Sequence, residues 1–385
     1  MQAVILAAGE GKRVGPLTRN RPKVMIPVAN HPIIEYAIDA LLKNGIRDIV
    51  VVVGYRKEQV IRFLNGLEIP LEVVVQNKPL GTAHALQCAE SKITGDFLVL
   101  AGDNYIDPQS IAKIKDIPNA MLVKEHPNPS NFGVVLMNNG IVTEIVEKPS
   151  HAPSFLVSTG IYSFKQDFFS RIQTPNITDA ISMMIRAGQQ IRAVPADDWQ
   201  DAIFPWDLLK MNRRLLSGLH QVKREGVISR QTIINGLVLI GKGTTIGPNT
   251  VITGPVVIGN DCTIGPNCCI MPNTSIGSRV NIEPFTLIGD VIVMDDTSIG
   301  SHSRIFETVI GERCTLADHT SVFKASGQTD IEGCSIRSEF GAILGDNVAN
   351  GPFTVYKKCI VGNNVTIEGQ DCISSSNIPD GSMVI

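Results

Sequence analysis

The chain has 385 residues, 43% hydrophobic and 18% charged, with a formal net charge of -3. Its length sets an expectation of two or three domains, and its balance of apolar and charged residues excludes a disordered chain. The charge excludes a general attraction for nucleic acid, and no apolar run approaches the roughly 20 residues of a membrane span.

Residues 1–8 are a short apolar run with no basic n-region, so no secretory leader is expected. The eight cysteines, Cys88, Cys262, Cys268, Cys269, Cys314, Cys334, Cys359 and Cys372, contain no CxxC pair and point to neither zinc nor a redox motif. A reduced cytoplasm is the expected setting.

The first apolar strand, residues 3–6, runs into the loop LAAGEGKRVGPLTRNRPKVMIP at residues 6–27. This loop carries Gly9, Gly11 and Gly15 with Lys12, Arg13, Arg19, Arg21 and Lys23, against the single acid Glu10. Glycines let backbone N–H groups approach an anion, and the cations neutralise charge that bunches when phosphate is transferred. A glycine-rich loop serves a plain strand-to-helix turn equally well, so the rest of the chain must decide.

Up to Asp103, apolar runs at residues 48–54, 71–75 and 96–103 read as buried strands. Between the strand at residues 3–6 and the run at 48–54, residues 32–44 place Ile33, Ile34, Ala37, Ile38, Leu41 and Leu42 on one helical stripe, closed by Gly45. Strand, helix, strand at this spacing predicts a parallel, doubly wound α/β sheet. Ligands sit at the carboxyl ends of such strands, where the Gly9 loop and Asp103 both fall.

Residues 120–194 have shorter strands, turn signals at 138–140 and Pro149, and a helical stretch at 178–186, which predicts an antiparallel extension of the sheet. Residues 205–221 are helical, either a connector or the last helix of the first domain. The boundary is expected near Gly226, giving domains 1–225 and 226–385.

Beyond it, isoleucine recurs every six residues at Ile240, Ile246, Ile252, Ile258, Ile264, Ile270, Ile276, Ile282 and Ile288. Four residues after each stands a small or β-branched residue: Thr244, Thr250, Val256, Cys262, Cys268, Thr274, Val280 and Thr286. This code predicts a left-handed parallel β-helix, three hexads to a coil, with isoleucine inside and the small residue at the corner. Cys262 and Cys268 then read as apolar fillers rather than catalytic thiols. The register drifts after Met294, resumes at Ile299, Ile305, Ile310, Leu316 and Val322, and breaks at residues 325–339. It returns through Leu344, Val361, Ile367 and Ile373, so the break predicts a loop leaving the coil.

Taken in order, these pieces resemble the sugar-1-phosphate nucleotidylyltransferases, and the repeat behind the first domain resembles their two-domain UTP-dependent members. The family signature, AAGxGTR followed by PKxMxPV, stands here as AAGEGKR and PKVMIPV, with Lys12 in place of the usual threonine. The resemblance covers nearly the whole chain. It implies that Ala8, Gly9 and Gly11 hold the nucleotide and that Arg13 and Lys23 clamp the triphosphate. In QNKPLGTAHAL it implies that Gln76, Gly81 and Thr82 read a pyrimidine base, although Thr82 also reads as a helix cap.

For the metal it implies Asp103 in AGDNYID with Asp201 in WQDAIFPWD, two carboxylates suited to Mg²⁺, Asp207 being the rival for the second place. Gly133, Glu147, Thr159 and Gly160 would read the sugar, and Lys148 would grip its phosphate. The substrates implied are UTP or dTTP with N-acetylglucosamine-1-phosphate or glucose-1-phosphate, with no nucleic-acid or membrane partner.

β-Helices of this kind also serve acetyl-CoA-dependent acyltransferases, with a histidine base. His302 in GSHSRIF and His319 in ADHTSVF are the candidates, His302 being preferred, but the Asn-rich or Asn-x-Arg-x-Asp segment expected after the histidine is missing from residues 316–341. The repeat is therefore expected to assemble a homotrimer. A non-catalytic sugar-nucleotide-binding regulatory subunit is the remaining alternative. Such subunits tend to lose signature residues, and Arg13, Lys23, Asp103 and Lys148 are all present.

Overall fold

The computed structural model describes residues 1–385 apart from the side chain of Cys334, so that cysteine lies outside the described side chains. Contacts divide the chain into two compact units. One comprises Met1–Glu10, Arg21–Met25 and Pro32–Asp201, the other Gly11–Asn20, Ile26–His31 and Ala202–Ile385.

In chain order the elements up to Asp201 are β1 (Gln2–Ala7), the two-residue strands β2 (Pro27–Val28) and β3 (His31–Pro32), α1 (Ile33–Lys43) and β4 (Asp48–Val53). Next come α2 (Lys57–Asn65), β5 (Leu71–Val75), α3 (Thr82–Gln87), β6 (Phe97–Ala101), β7 (Asn104–Ile106) and α4 (Pro108–Ile114). The set closes with β8 (Ala120–Glu125), β9 (Gly133–Asn138), β10 (Ile141–Glu147), β11 (Leu156–Phe164), α5 (Ile177–Arg186), β12 (Arg192–Pro195) and β13 (Trp199–Asp201).

The main sheet of the first unit has the order β5-β4-β1-β6-β11-β8-β12-β10-β9. β5, β4, β1 and β6 are mutually parallel, and β11 runs antiparallel to β6 and β8, so a doubly wound half carries an antiparallel extension. Val50, Val51, Val52 and Val53 are all buried, as expected of a parallel strand covered on both faces. α1 ends with Ile46 N–H on the Leu41 carbonyl and Gly45 N–H on that of Leu42, Gly45 standing at φ 75. This is the glycine-closed helix end that the sequence predicts.

The second unit contains α6 (Asp207–Ser217) and a parallel β-helix. Val227 pairs with Thr245, Thr245 with Thr263 and Thr263 with Asn281, so each coil advances by 18 residues, three hexads. The isoleucines from Ile240 to Ile288 are buried and form one continuous core with Cys262, Cys268 and Val280. Three residues after an isoleucine the backbone turns through the left-handed region, at Asn249, Asp261, Asn267, Asn273, Arg279 and Phe285.

The small residue one place further on lies inside that corner: Thr244 Oγ1 donates to the Gly259 carbonyl at 2.7 Å and Thr250 Oγ1 to that of Gly265 at 2.8 Å. Glycine follows isoleucine because coils stack there, and a Cβ on Gly259 would come within 2.5 Å of the Gly277 carbonyl oxygen. The drift after Met294 is a coil one residue shorter, Asn281 pairing with Ser298 and Ser298 with Thr315. The break is an antiparallel hairpin, Ala325–Ile331 with Cys334–Phe340, after which the coil resumes with Thr315 paired to Ala349.

α6 is fixed to this unit by a buried amide. Asn212 Oδ1 accepts from Ala29 N–H and Ser275 Oγ, and its Nδ2 donates to the Asn273 carbonyl. Residues 11–20 are tied to the last coils by Arg19 with Asp380 at 2.6 Å and by Asn363 Nδ2 donating to the Pro16 carbonyl. Among the described residues no helix is long and apolar enough to cross a membrane.

Candidate functional site

The parallel half of the sheet delivers its site residues at strand ends. Ala8 and Gly9 follow β1, Gly54 follows β4, Gln76 follows β5, and Gly102 with Asp103 follow β6. These loops meet because two glycines let backbones close. A Cβ on Gly54 would lie 2.8 Å from the Ala8 carbonyl oxygen, and one on Gly102 would lie 3.0 Å from Ile5 Cγ2. Gly9 differs: a Cβ there would meet nothing within 4 Å among the described residues, so packing within the chain does not call for glycine.

The centre of the site is Lys23, which is buried. Its Nζ donates to Asp103 Oδ2 at 2.8 Å and to Asp201 Oδ1 at 2.7 Å. Asp103 arrives from the end of β6. Asp201 closes β13, which pairs antiparallel with β7 in the register Trp199–Ile106, Gln200–Tyr105, Asp201–Asn104. This two-stranded ribbon, whose halves are far apart in sequence, brings the carboxylates together. Burial alone would lower the ammonium's pKa, but the two carboxylates outweigh it and hold Lys23 charged, above the usual lysine range.

Two carboxylates around one ammonium make an oxygen-only site already shaped for a cation, and the ammonium stands in for one. Asp103 and Asp201 side chains are 34% and 19% exposed, so both remain open to a further ion. Among the described residues no group of three or more His, Cys, Asp or Glu has metal-holding geometry. A divalent ion here would draw its remaining ligands from phosphate and water, the usual arrangement for Mg²⁺, and these residues fit it.

In the segment expected to read the base, Gln76 is buried, with Nε2 donating to the Gly81 carbonyl at 3.1 Å and lying 2.9 Å from His84 Nδ1. Gly81 stands at φ 119, and a Cβ would come within 2.3 Å of the Pro175 carbonyl oxygen. Thr82 does not cap α3, because Gly81 holds the cap position. Its Oγ1 instead accepts the Ile177 N–H at the start of α5, tying the two helices together.

On the antiparallel side, Gly133 and Glu147 are cross-strand partners of β9 and β10, and a Cβ on Gly133 would lie 3.2 Å from Glu147 Oε2. Lys148 stands at the strand end with its Nζ 3.0 Å from Glu147 Oε1. Thr159 is buried, its Oγ1 donating to the Leu122 carbonyl, so its side chain faces the protein interior. Gly160 stands at φ 77, inside the register shift between Ser158 and Tyr162 where β11 leaves its pairing with β8. Burial pushes the Tyr162 hydroxyl up to about 12.

Gly11 and Arg13 fall in the other unit, Arg13 half-buried on a 3-10 turn, Lys12–Val14, that Gly11 opens at φ 71. Asp207 is also there: its Oδ2 accepts the Phe204 N–H and its Oδ1 pairs with Lys210, as befits the first residue of a helix. His302 is a left-handed corner of the β-helix, its ring stacked 4.9 Å from Phe285 and 5.1 Å from His319, which stacks in turn 4.6 Å from Phe353.

Comparison with known proteins fits this layout. A family model described as nucleotidyl transferase matches residues 2–217, and one described as the GMPPB C-terminal domain matches residues 252–384. The bifunctional protein GlmU of Methanococcus vannielii is 34% identical over 407 residues, covering 100% of this chain and 97% of that protein. The UTP-glucose-1-phosphate uridylyltransferase AglF of Haloferax volcanii is 37% identical over 238 residues, covering 56% of this chain and 96% of that protein. A solved UDP-glucose pyrophosphorylase from Acinetobacter baumanii aligns with a TM-score of 0.48 at 24% identity, over 55% of this chain and 92% of that one. The chain belongs to the nucleotidyl transferase family and is a sugar-1-phosphate nucleotidylyltransferase whose second part is a parallel β-helix.

Proposed function

We propose that the chain joins a pyrimidine nucleoside triphosphate, UTP or dTTP, to N-acetylglucosamine-1-phosphate or glucose-1-phosphate, releasing pyrophosphate. The observation that carries this is the buried ammonium of Lys23 between Asp103 and Asp201 at the carboxyl ends of the sheet. A site with both signs of charge held in place suits a reaction in which two polyanions must meet.

The backbone of Ala8, Gly9 and Gly11 would hold the phosphates, with the open space above Gly9 admitting their close approach. Gln76, Gly81 and Thr82 would face the base, Gly133, Glu147, Gly160 and the backbone of Thr159 the sugar, and Lys148 the sugar's phosphate. A phosphate oxygen of the sugar-1-phosphate attacks the α-phosphorus in line. One P–O bond forms, the bond to the bridging oxygen breaks, and pyrophosphate departs against Arg13 and Lys23. The attacking phosphate is already anionic, so no side chain has to remove a proton. Mg²⁺ bound by Asp103 and Asp201 would supply charge neutralisation on the phosphate oxygens.

Pyrophosphate release measured over a panel of nucleoside triphosphates and hexose-1-phosphates tests the assignment. Turnover is expected with a pyrimidine nucleotide and one of the two named sugar phosphates. Preference for a purine nucleotide, or release that does not need a sugar phosphate, would contradict it.

A second reading concerns the β-helix. The bifunctional proteins similar to this chain along its full length, and the stacked His302 and His319, favour testing acetyl transfer to glucosamine-1-phosphate with His302 as base. We favour instead an assembling role, the flat faces packing as a homotrimer in the cytoplasm, because His302 sits as a stacked corner residue. Thiol release from acetyl-CoA that His302→Ala abolishes would establish the acetyltransferase.

A further inference from the structure

Asn104 lies between the two carboxylates and the sugar side of the site, and nothing in the proposed chemistry accounts for it. It follows Asp103 directly, and as the first residue of β7 it is the cross-strand partner of Asp201. Its side chain runs the other way, Nδ2 donating to the Thr159 carbonyl at 3.0 Å. That carbonyl sits in the bulge where β11 leaves β8, so the strand partner that would ordinarily satisfy it is missing. A Cβ on Gly160 would lie 3.6 Å from Ala101 Cβ and 3.9 Å from Asn104 Nδ2, which places the bulge against the end of β6.

The other end of the amide is the second observation. Asn104 is 5% exposed, and its Oδ1 is buried with no hydrogen-bond partner among the described residues. A buried acceptor left unpaired is unfavourable for the fold, and an apolar side chain of the same shape would remove it but leave the Thr159 carbonyl unpaired in its place, so the amide brings little net stability. The amide at this position is therefore better explained by what its donor end holds than by stability.

We propose that Asn104 is a positioning residue: through Thr159–Gly160 it fixes the sugar-facing bulge of β11 relative to Asp103 and Asp201. This rests on the nucleotidyl-transfer reading above. It adds that the sugar-phosphate side, not the nucleotide side, depends on this amide. The substrate oxygen that attacks must be aligned with the α-phosphorus, and a bulge free to shift would misplace it.

The test uses the full chain with Asn104→Leu, which matches the shape and removes both polar ends, and Asn104→Ala as a second variant should leucine not fold. Steady-state pyrophosphate release is measured with the substrate pair the wild type prefers, each substrate varied in turn, beside thermal unfolding. The expected result is a fall of about tenfold or more in kcat/KM for the sugar phosphate, with KM for the nucleotide within about twofold of wild type and, for Asn104→Leu, Tm close to that of the wild type, since one unpaired acceptor replaces another. Wild-type kcat/KM for the sugar phosphate in either folded variant would overturn the proposal. So would a loss shared equally by both substrates and accompanied by a lower Tm. Absence of turnover in the wild type would overturn the nucleotidyl-transfer reading itself, and this one with it.

Discussion

Asp103 and Asp201 reach the same atom: Lys23 Nζ lies 2.8 Å from an oxygen of the first and 2.7 Å from an oxygen of the second. One cation thus holds two carboxylates that would otherwise repel. The arrangement makes Lys23 a structural counter-ion, and the proposed reaction would use the same ammonium as a phosphate ligand.

Replacing that cation has a distinctive signature. Lys23→Met leaves the carboxylates facing each other, at a cost of about 2–3 kcal/mol, below that of a fully buried unpaired charge because Asp103 keeps a share of its solvent. Thermal unfolding without divalent ion is expected several degrees below wild type, and Mg²⁺ should restore more stability to the variant than it adds to the wild type. Equal unfolding temperatures with no difference in the response to Mg²⁺ would contradict the shared-cation account.

The loop that holds Gly81 offers a separate test on the nucleotide side. Because Gly81 stands at φ 119 against the Pro175 carbonyl, Gly81→Ala must shift the backbone that receives the Gln76 amide. The expected outcome is a KM for the nucleotide raised about tenfold, with a stability loss of about 1–3 kcal/mol. An unchanged nucleotide KM would remove this segment from the binding site.

Thiols report on the β-helix. Burial pushes the Cys359 thiol up to about 12 from an ordinary value near 9.0, and it raises Cys262 and Cys268 as well. A thiol that resists ionisation in the fold stabilises it fully below the unfolded value. That contribution is lost as pH rises from about 9 toward about 12, because the unfolded chain ionises first. Unfolding temperature should therefore fall across that window. Maleimide at pH 8 should label exposed Cys372 at once and leave Cys262, Cys268, Cys314 and Cys359 unlabelled until the protein unfolds. Rapid labelling of Cys359 in the native protein would be inconsistent with this core.

The parts legible in the sequence were those with a short period. Isoleucine every sixth residue announced the coils, the apolar runs announced β1, β4, β5 and β6, and even the break at residues 325–339 proved to be the hairpin. What could not be read was contact between short, distant pieces. β7 and β13 are three residues each, too short for any periodicity, yet their pairing sets Asp201 beside Asp103. Asn104 carried no signal because its contact is with a carbonyl, and the irregular pairing of β11 that frees this carbonyl leaves no pattern of residue types. Thr82 looked like a cap for its own helix and serves α5 instead, since Gly81 already provides the turn.

The most direct test of the central claim is the initial rate of pyrophosphate release, at saturating Mg²⁺ and substrates, for wild type and Asp103→Asn side by side. Asparagine keeps the shape of a partly exposed side chain and leaves Lys23 paired with Asp201, so the fold should survive. The rate is expected to fall by about 10²–10³-fold. A rate for Asp103→Asn equal to wild type under those conditions would contradict the assignment of this carboxylate, and with it the site built around Lys23.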